Sequence, residues 1–166
     1  MRLRSSTGRL SPGGGVVLAL ASALVVLATS CSSGGSNAPP TYSVFVQKFR
    51  YHNMPTSIPS GNLTINFSNR ENLSITHEMV VVSLPSGKKA QDVIDAAKAE
   101  AKPGDSEDQW LHFGEIGEVD TGATISGVFD LPAGTYAMAC WQHGNLGGGE
   151  GKSHASRGMV FQFTVS

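Results

Sequence analysis

Near the end of the 166-residue chain stand Cys140, His154 and Met159, in that order, just ahead of the last strand-like run. A thiolate, an imidazole and a thioether, joined by a second imidazole from elsewhere, form a donor set that suits copper. Calcium and magnesium take hard oxygen ligands instead. Taken singly, each residue type has a plainer use. Cysteine and methionine pack well in a core, and a histidine at a strand end is ordinarily a hydrogen-bonded one. Their joint order and spacing point to a metal. No catalytic arrangement competes. There is no Gly-x-Ser-x-Gly elbow. The cluster Gly147–Gly151, followed by Lys152-Ser153, lacks the strand-to-helix setting of a phosphate loop. His52 and His112 are read as surface or core residues, and Asp105, Glu107 and Asp108 as a solvated acidic loop. The expectation is a protein that is not an enzyme.

The elements that must position these residues lie between Thr41 and Ser166, a length that makes one ordinary domain with a real core. Tyr42 to Phe49 alternates as a strand. Leu63, Ile65 and Phe67 share one face of a second strand, and Ile75 to Leu84 is apolar enough to be covered on both sides. Ala90 to Ala101 predicts one helix, with Val93, Ile94, Ala97 and Ala101 as its apolar stripe and Pro103-Gly104 as its stop. Trp110 to Val119 holds a short strand or an irregular crossing. Gly122 to Leu131 alternates with Ala123, Ile125, Gly127, Phe129 and Leu131 on one side. Tyr136 to Trp141 and Val160 to Val165 form a final pair. Tyr136, soon after Leu131-Pro132-Ala133-Gly134, fits a corner where a Greek-key chain passes between sheets. Some seven short strands and one helix predict an all-β, Greek-key antiparallel β-sandwich with the helix packed on its outside.

Residues 1–30 read as a signal peptide. Arg2, Arg4 and Arg9 precede the apolar run Val16–Ala28, whose 13 residues fall short of the roughly 20 that span a bilayer as a helix. The segment Leu27-Ala28-Thr29-Ser30-Cys31 resembles a bacterial lipobox, with Ala28 where a larger aliphatic is commoner. That resemblance implies lipidation of Cys31 and attachment to a membrane, since two or three acyl chains hold a protein firmly. The other reading is an ordinary cleavage site with a free cysteine. Residues 31–40 then form the lipidated cysteine and a flexible linker, polar and glycine-rich before Pro39-Pro40. The layout places the domain, 41–166, at the outer face of the cytoplasmic membrane.

Cysteine usage and charge narrow the partners. With Cys31 lipidated, Cys140 is alone in an oxidising compartment, where a thiol persists most easily when buried or metal-bound. A Cys31–Cys140 disulfide is the competing account. The signal carries three of the 12 basic residues and no acid, leaving 9 against 13 acidic residues, a formal charge of −4. With no basic patch interleaved with aromatics, nucleic acid is not an expected partner.

Around Cys140 the chain resembles the cupredoxins, the plastocyanin and azurin superfamily. The resemblance rests on Pro132, Gly134, Tyr136 and Cys140 before the loop and on His154, Gly158 and Met159 after it. It implies a two-sheet Greek-key fold and one mononuclear copper. It also implies that His77, in Thr76-His77-Glu78-Met79-Val80, is the ligand from an earlier strand. His77, Cys140 and His154 would then be equatorial and Met159 axial. One departure is large: thirteen residues separate Cys140 from His154, where the family has a handful. Extending a flexible loop that far costs only about 1 kcal/mol in closure entropy. The insertion also admits a rival ligand, His143 at Cys-x-x-His, although no methionine follows it at the distance that separates His154 from Met159. Three functions follow: a one-electron carrier with a redox partner protein, a copper sequestration or delivery protein, or a metal-free binding domain of the same fold.

Overall fold

The computed structural model describes residues 38–144 and 152–166. The signal segment 1–30, Cys31, most of the 31–40 linker and the Gly147–Gly151 cluster lie outside the described residues. Among the described residues nine strands build two sheets: β1 (Thr41–Gln47), β2 (Arg50–His52), β3 (Ser57–Ile58), β4 (Gly61–Asn69), β5 (His77–Ser83), β6 (Leu111–Val119), β7 (Thr124–Leu131), β8 (Gly134–Ala139) and β9 (Val160–Val165). One sheet has the order β2-β1-β4-β7 and the other β3-β9-β8-β5-β6. The fold is the all-β sandwich expected, with one refinement. The pairs β1–β4 and β3–β9 run parallel, because chain crossovers rather than hairpins bring them together.

Period-two alternation drives the sandwich together. Leu63, Ile65 and Phe67 of β4 are fully buried, facing Met79 and Val81 of β5 and Met138 of β8 within one continuous core. Val80 and Val82, on the other face of β5, are buried too. Helix α1 (Ala90–Ala99) covers that face, packing Val93 and Ala97 onto Val80, Val82, Ala137 and Ala139. Burying a valine of this kind contributes roughly 1.5–3 kcal/mol. The helix starts where the Asp92 carboxylate accepts the Lys89 N–H at 2.9 Å. It ends two residues before Ala101, where Glu100 turns extended. The apolar stripe is therefore narrower than expected, and Ala101 is exposed.

Trp110 to Val119 resolves into β6, and the two sheets close on each other along β6 and β7. Gly127 makes that possible: a Cβ there would lie 2.7 Å from a side-chain carbon of Ile116. Ile125, expected inside, is 44 % exposed because β7 is an edge strand. The Tyr136 hydroxyl donates to the Pro132 carbonyl at 2.8 Å and closes the corner.

A second correction lies at the end of β1. The strand stops at Gln47, and Lys48-Phe49 form a two-residue turn into β2, Gln47 pairing with Arg50. Both turn residues have positive φ, 53° and 57°. Asn-Gly is the usual choice for this geometry, so a bulky phenylalanine there signals a constraint from elsewhere.

Candidate metal centre

The register of β5 against β8 brings the first two donors together. Val80 pairs with Ala139 in antiparallel sense, so the start of β5 and the end of β8 meet at one pole. His77 opens β5 and Cys140 follows β8 directly. The Ala139–Val160 pairing sets Met159 opposite Cys140, and the Cys140 N–H donates to the Met159 carbonyl at 3.3 Å. Met159 is fully buried in the same core as Cys140.

His154 is held by a tight turn. Residues Ala155–Arg157 make one turn of 3-10 helix, Gly158 closes it at φ 93°, and the Met159 N–H returns to the His154 carbonyl at 3.1 Å. The thirteen-residue insertion does not loosen this arrangement, because it has a closed neck. The His154 N–H donates to the Gln142 carbonyl at 3.0 Å and the Ala155 N–H to the Cys140 carbonyl at 2.6 Å. His143 and Ser153 form a bridge just outside. The described ends of the insertion therefore leave and return at adjacent points.

Three donor atoms converge. The Nδ1 atoms of His77 and His154 are 3.0 Å apart, and the Cys140 Sγ lies 3.3 Å from the His154 Nδ1 and 3.8 Å from the His77 Nδ1. The point equidistant from all three is about 2.0 Å from each, near the roughly 2.0–2.3 Å of metal–nitrogen and metal–sulfur bonds. All three residues are fully buried. His143 lies outside this triangle, its Nε2 3.4 Å from a carboxylate oxygen of Glu100. His52 stacks on Phe45, and His112 faces Glu107.

Burial sets the protonation. It drives His154 down to about 3, helped by the charges of His77, Arg157 and His143. His77 is also lowered by burial, against the opposing pull of Glu71. Burial pushes the Cys140 thiol up to about 12, although the Glu78 N–H points at its sulfur from 3.5 Å. At neutral pH the centre therefore holds two neutral imidazoles and a protonated thiol. The three donor side chains therefore carry no net charge until the thiol proton leaves.

Three flanking residues had no signature in the sequence. Glu78 staples β5 to the segment after Cys140: its carboxylate accepts the Trp141 N–H at 2.6 Å and the Gln142 side-chain amide at 2.9 Å. Tyr51 donates its hydroxyl to the Glu78 carbonyl at 2.7 Å, so both the main chain and side chain of Glu78 are pinned. Phe49 lays its ring edge-on to both imidazoles, with centroids 5.1 Å from His77 and 5.0 Å from His154. Adjacency to His77 was the only available hint for Glu78. Nothing marked Phe49, whose role arises from a turn between strands.

No protein-family model matches this chain, and no curated protein sequence does. Solved structures do match in fold. Dithionite-reduced auracyanin from the photosynthetic bacterium Roseiflexus castenholzii aligns over 78% of this chain and 98% of its own, with TM-score 0.54 and 21% identity. Auracyanin B aligns over 78% and 92%, with TM-score 0.52 and 22% identity. Auracyanin A, described as a "blue" copper protein of the green thermophilic photosynthetic bacterium Chloroflexus aurantiacus, covers 78% of this chain and 100% of its own at TM-score 0.50 and 19% identity. The fold is that of the cupredoxins. Within it, His77, Cys140 and His154 bring three buried donor atoms within reach of one point, and Met159 is buried in the same core as Cys140.

Proposed function

We propose that this cupredoxin-fold domain holds one copper ion on His77, Cys140 and His154, with Met159 as the weak axial donor, and that it carries single electrons. Copper in such a set supplies a one-electron Cu(I)/Cu(II) couple. The protein supplies rigidity. Two strands and a hydrogen-bonded turn hold the ligands, Glu78 and Tyr51 brace them from behind, and Phe49 keeps water off the imidazoles. Little has to rearrange when an electron passes.

The observation that carries this reading is the triangle of buried Nδ1, Nδ1 and Sγ atoms around a point about 2.0 Å from each. The same burial favours a carrier over a sequestration or delivery protein, since metal exchange is easier at an exposed ligand, and over a metal-free binding domain. In this reading the chain is an exported lipoprotein. Cys31 carries the lipid, the linker lifts the domain from the outer face of the cytoplasmic membrane, and the redox partner is a membrane-associated protein rather than a nucleic acid. No bond-making chemistry is assigned to it.

Two measurements test the proposal. Cu(II) added to the purified protein should give an intense blue or green colour that Cys140→Ser abolishes, with reversible cycling and fast electron self-exchange. Absence of colour would sink the copper reading, and slow, irreversible redox would favour delivery. Fatty-acid label should enter the protein in cells and fail to enter Cys31→Ser.

A further inference from the structure

Glu71 lies behind the centre, in the segment between β4 and β5, and belongs to no donor set. Its side chain is only 8% exposed. One oxygen, Oε1, accepts the Phe49 N–H at 2.7 Å and stands 3.5 Å from the Nε2 of His77. The segment that carries it is firmly placed. The Glu71 N–H donates to the Asn69 side-chain oxygen at 3.1 Å, and the buried Asn69 amide donates to the carbonyls of Ile75 and Val119 at 2.6 and 2.9 Å. The His77 Nε2 itself is buried and makes no hydrogen bond: the carboxylate oxygen, at 3.5 Å, stands just beyond reach.

Metal binding changes what that nitrogen must do. A neutral imidazole has one donor and one acceptor nitrogen. Once Nδ1 gives its lone pair to a metal, the ring proton has to be on Nε2, and that N–H is enclosed beside a carboxylate. Metal-bound histidines ordinarily donate their second ring N–H to such a group, which fixes the tautomer and raises the basicity of the ligand. The same oxygen also anchors the turn that tilts the Phe49 ring onto both imidazoles. One carboxylate thus touches a ligand and the residue that shields it.

We propose that Glu71 is a positioning residue for the centre. It takes the Nε2–H hydrogen bond of His77 in the metal-bound form, holds the Phe49 cover through the turn, and biases the site toward Cu(II) by its negative charge. This rests on the copper reading above. Copper(II) with one thiolate carries a net positive charge that the carboxylate offsets. Copper(I) with the same thiolate has no charge to offset, so removing the carboxylate should weaken Cu(II) binding more than Cu(I) binding.

The test compares the purified wild-type protein with Glu71→Gln, which keeps the shape and the acceptor oxygen but removes the charge. Cu(II) and Cu(I) affinities are measured by competition with chelators, alongside the midpoint potential. We expect the variant to take up copper with colour while its Cu(II)-to-Cu(I) affinity ratio falls about tenfold or more. A tenfold fall corresponds to a rise of about 59 mV for one electron. In the diamagnetic Cu(I) protein, nitrogen-resolved NMR should show a slowly exchanging His77 Nε2–H proton far downfield, moved upfield in the variant. An unchanged ratio with an unchanged proton shift overturns the proposal, even where the variant melts earlier. Where the variant fails to fold, the wild-type proton decides alone: an Nε2–H in fast exchange with water overturns it. A wild-type protein that gives no coloured complex overturns the copper reading first and Glu71 with it, which is distinct from a coloured wild type whose variant is indistinguishable.

Discussion

Copper loading should expel one proton, and the number follows from how the centre is buried. With the Cys140 thiol at about 12 and His154 at about 3, the metal-free site at pH 7 carries one proton that must leave and no imidazolium that must be discharged. His77, lowered by burial, adds none. Forming the thiolate at pH 7 costs about 7 kcal/mol, from the five-unit gap at about 1.4 kcal/mol per unit, and metal–ligand bonds must offset it. Apparent copper affinity should therefore rise tenfold per pH unit, with a slope of one from about pH 6 to 8. Calorimetry in buffers of different ionisation enthalpy counts the protons directly, and chelator competition gives the slope. Cys140→Ser should release none. A slope steepening to two or three just below pH 6.5 would mean that the imidazoles titrate as they do in water, and release near zero at pH 7 would mean a preformed thiolate. Either result would refute the burial argument.

Other outcomes follow from the same geometry. The metal-free protein should lose stability in acid: below pH 6.5 the unfolded His154 takes a proton that the folded one refuses until about pH 3. The loss from this group is about 2 kcal/mol between pH 6.5 and 5, read by urea unfolding. Phe49→Ala should destabilise the protein by about 1–3 kcal/mol through loss of the two ring contacts. Phe49→Gly should then be more stable than Phe49→Ala by roughly 1 kcal/mol, because only glycine is unstrained at φ 57°; equal unfolding midpoints would count against a strained turn. Shortening the insertion between Gly144 and Lys152 should leave the copper colour intact, since the Gln142–His154 and Cys140–Ala155 hydrogen bonds close its neck. Loss of colour would show that the insertion itself holds His154.

Residue type and alternation carried a large part of this protein. Leu63-x-Ile65-x-Phe67, the two-sided apolar run of β5 and the alanine-rich helix each showed which face would be buried, because period two and period 3.6 are local properties of the backbone. The order of Cys140, His154 and Met159 likewise stated which donors were on offer. The closing of the sandwich was less legible. That β1 would end at Gln47 and turn through Lys48-Phe49 is invisible in an alternating string, since the strain at Phe49 is offset by partners distant along the chain: the Glu71 carboxylate and imidazoles 28 and 105 residues away. The parallel pairings of β1 with β4 and β3 with β9 depend on crossovers that no local pattern encodes.

What the chain determined by itself was an inventory: soft donors, a buried strand to carry one of them, and a glycine-rich insertion of troubling length. Tertiary structure decided the rest. Strand register placed His77 beside Cys140, the neck at Gln142 made the insertion harmless to His154, and burial turned three ordinary titrating groups into two neutral imidazoles and a retained thiol proton. The reason is physical. Hydrogen-bond register and the exclusion of water belong to pairs of segments far apart in sequence, and they exist only once those segments have met.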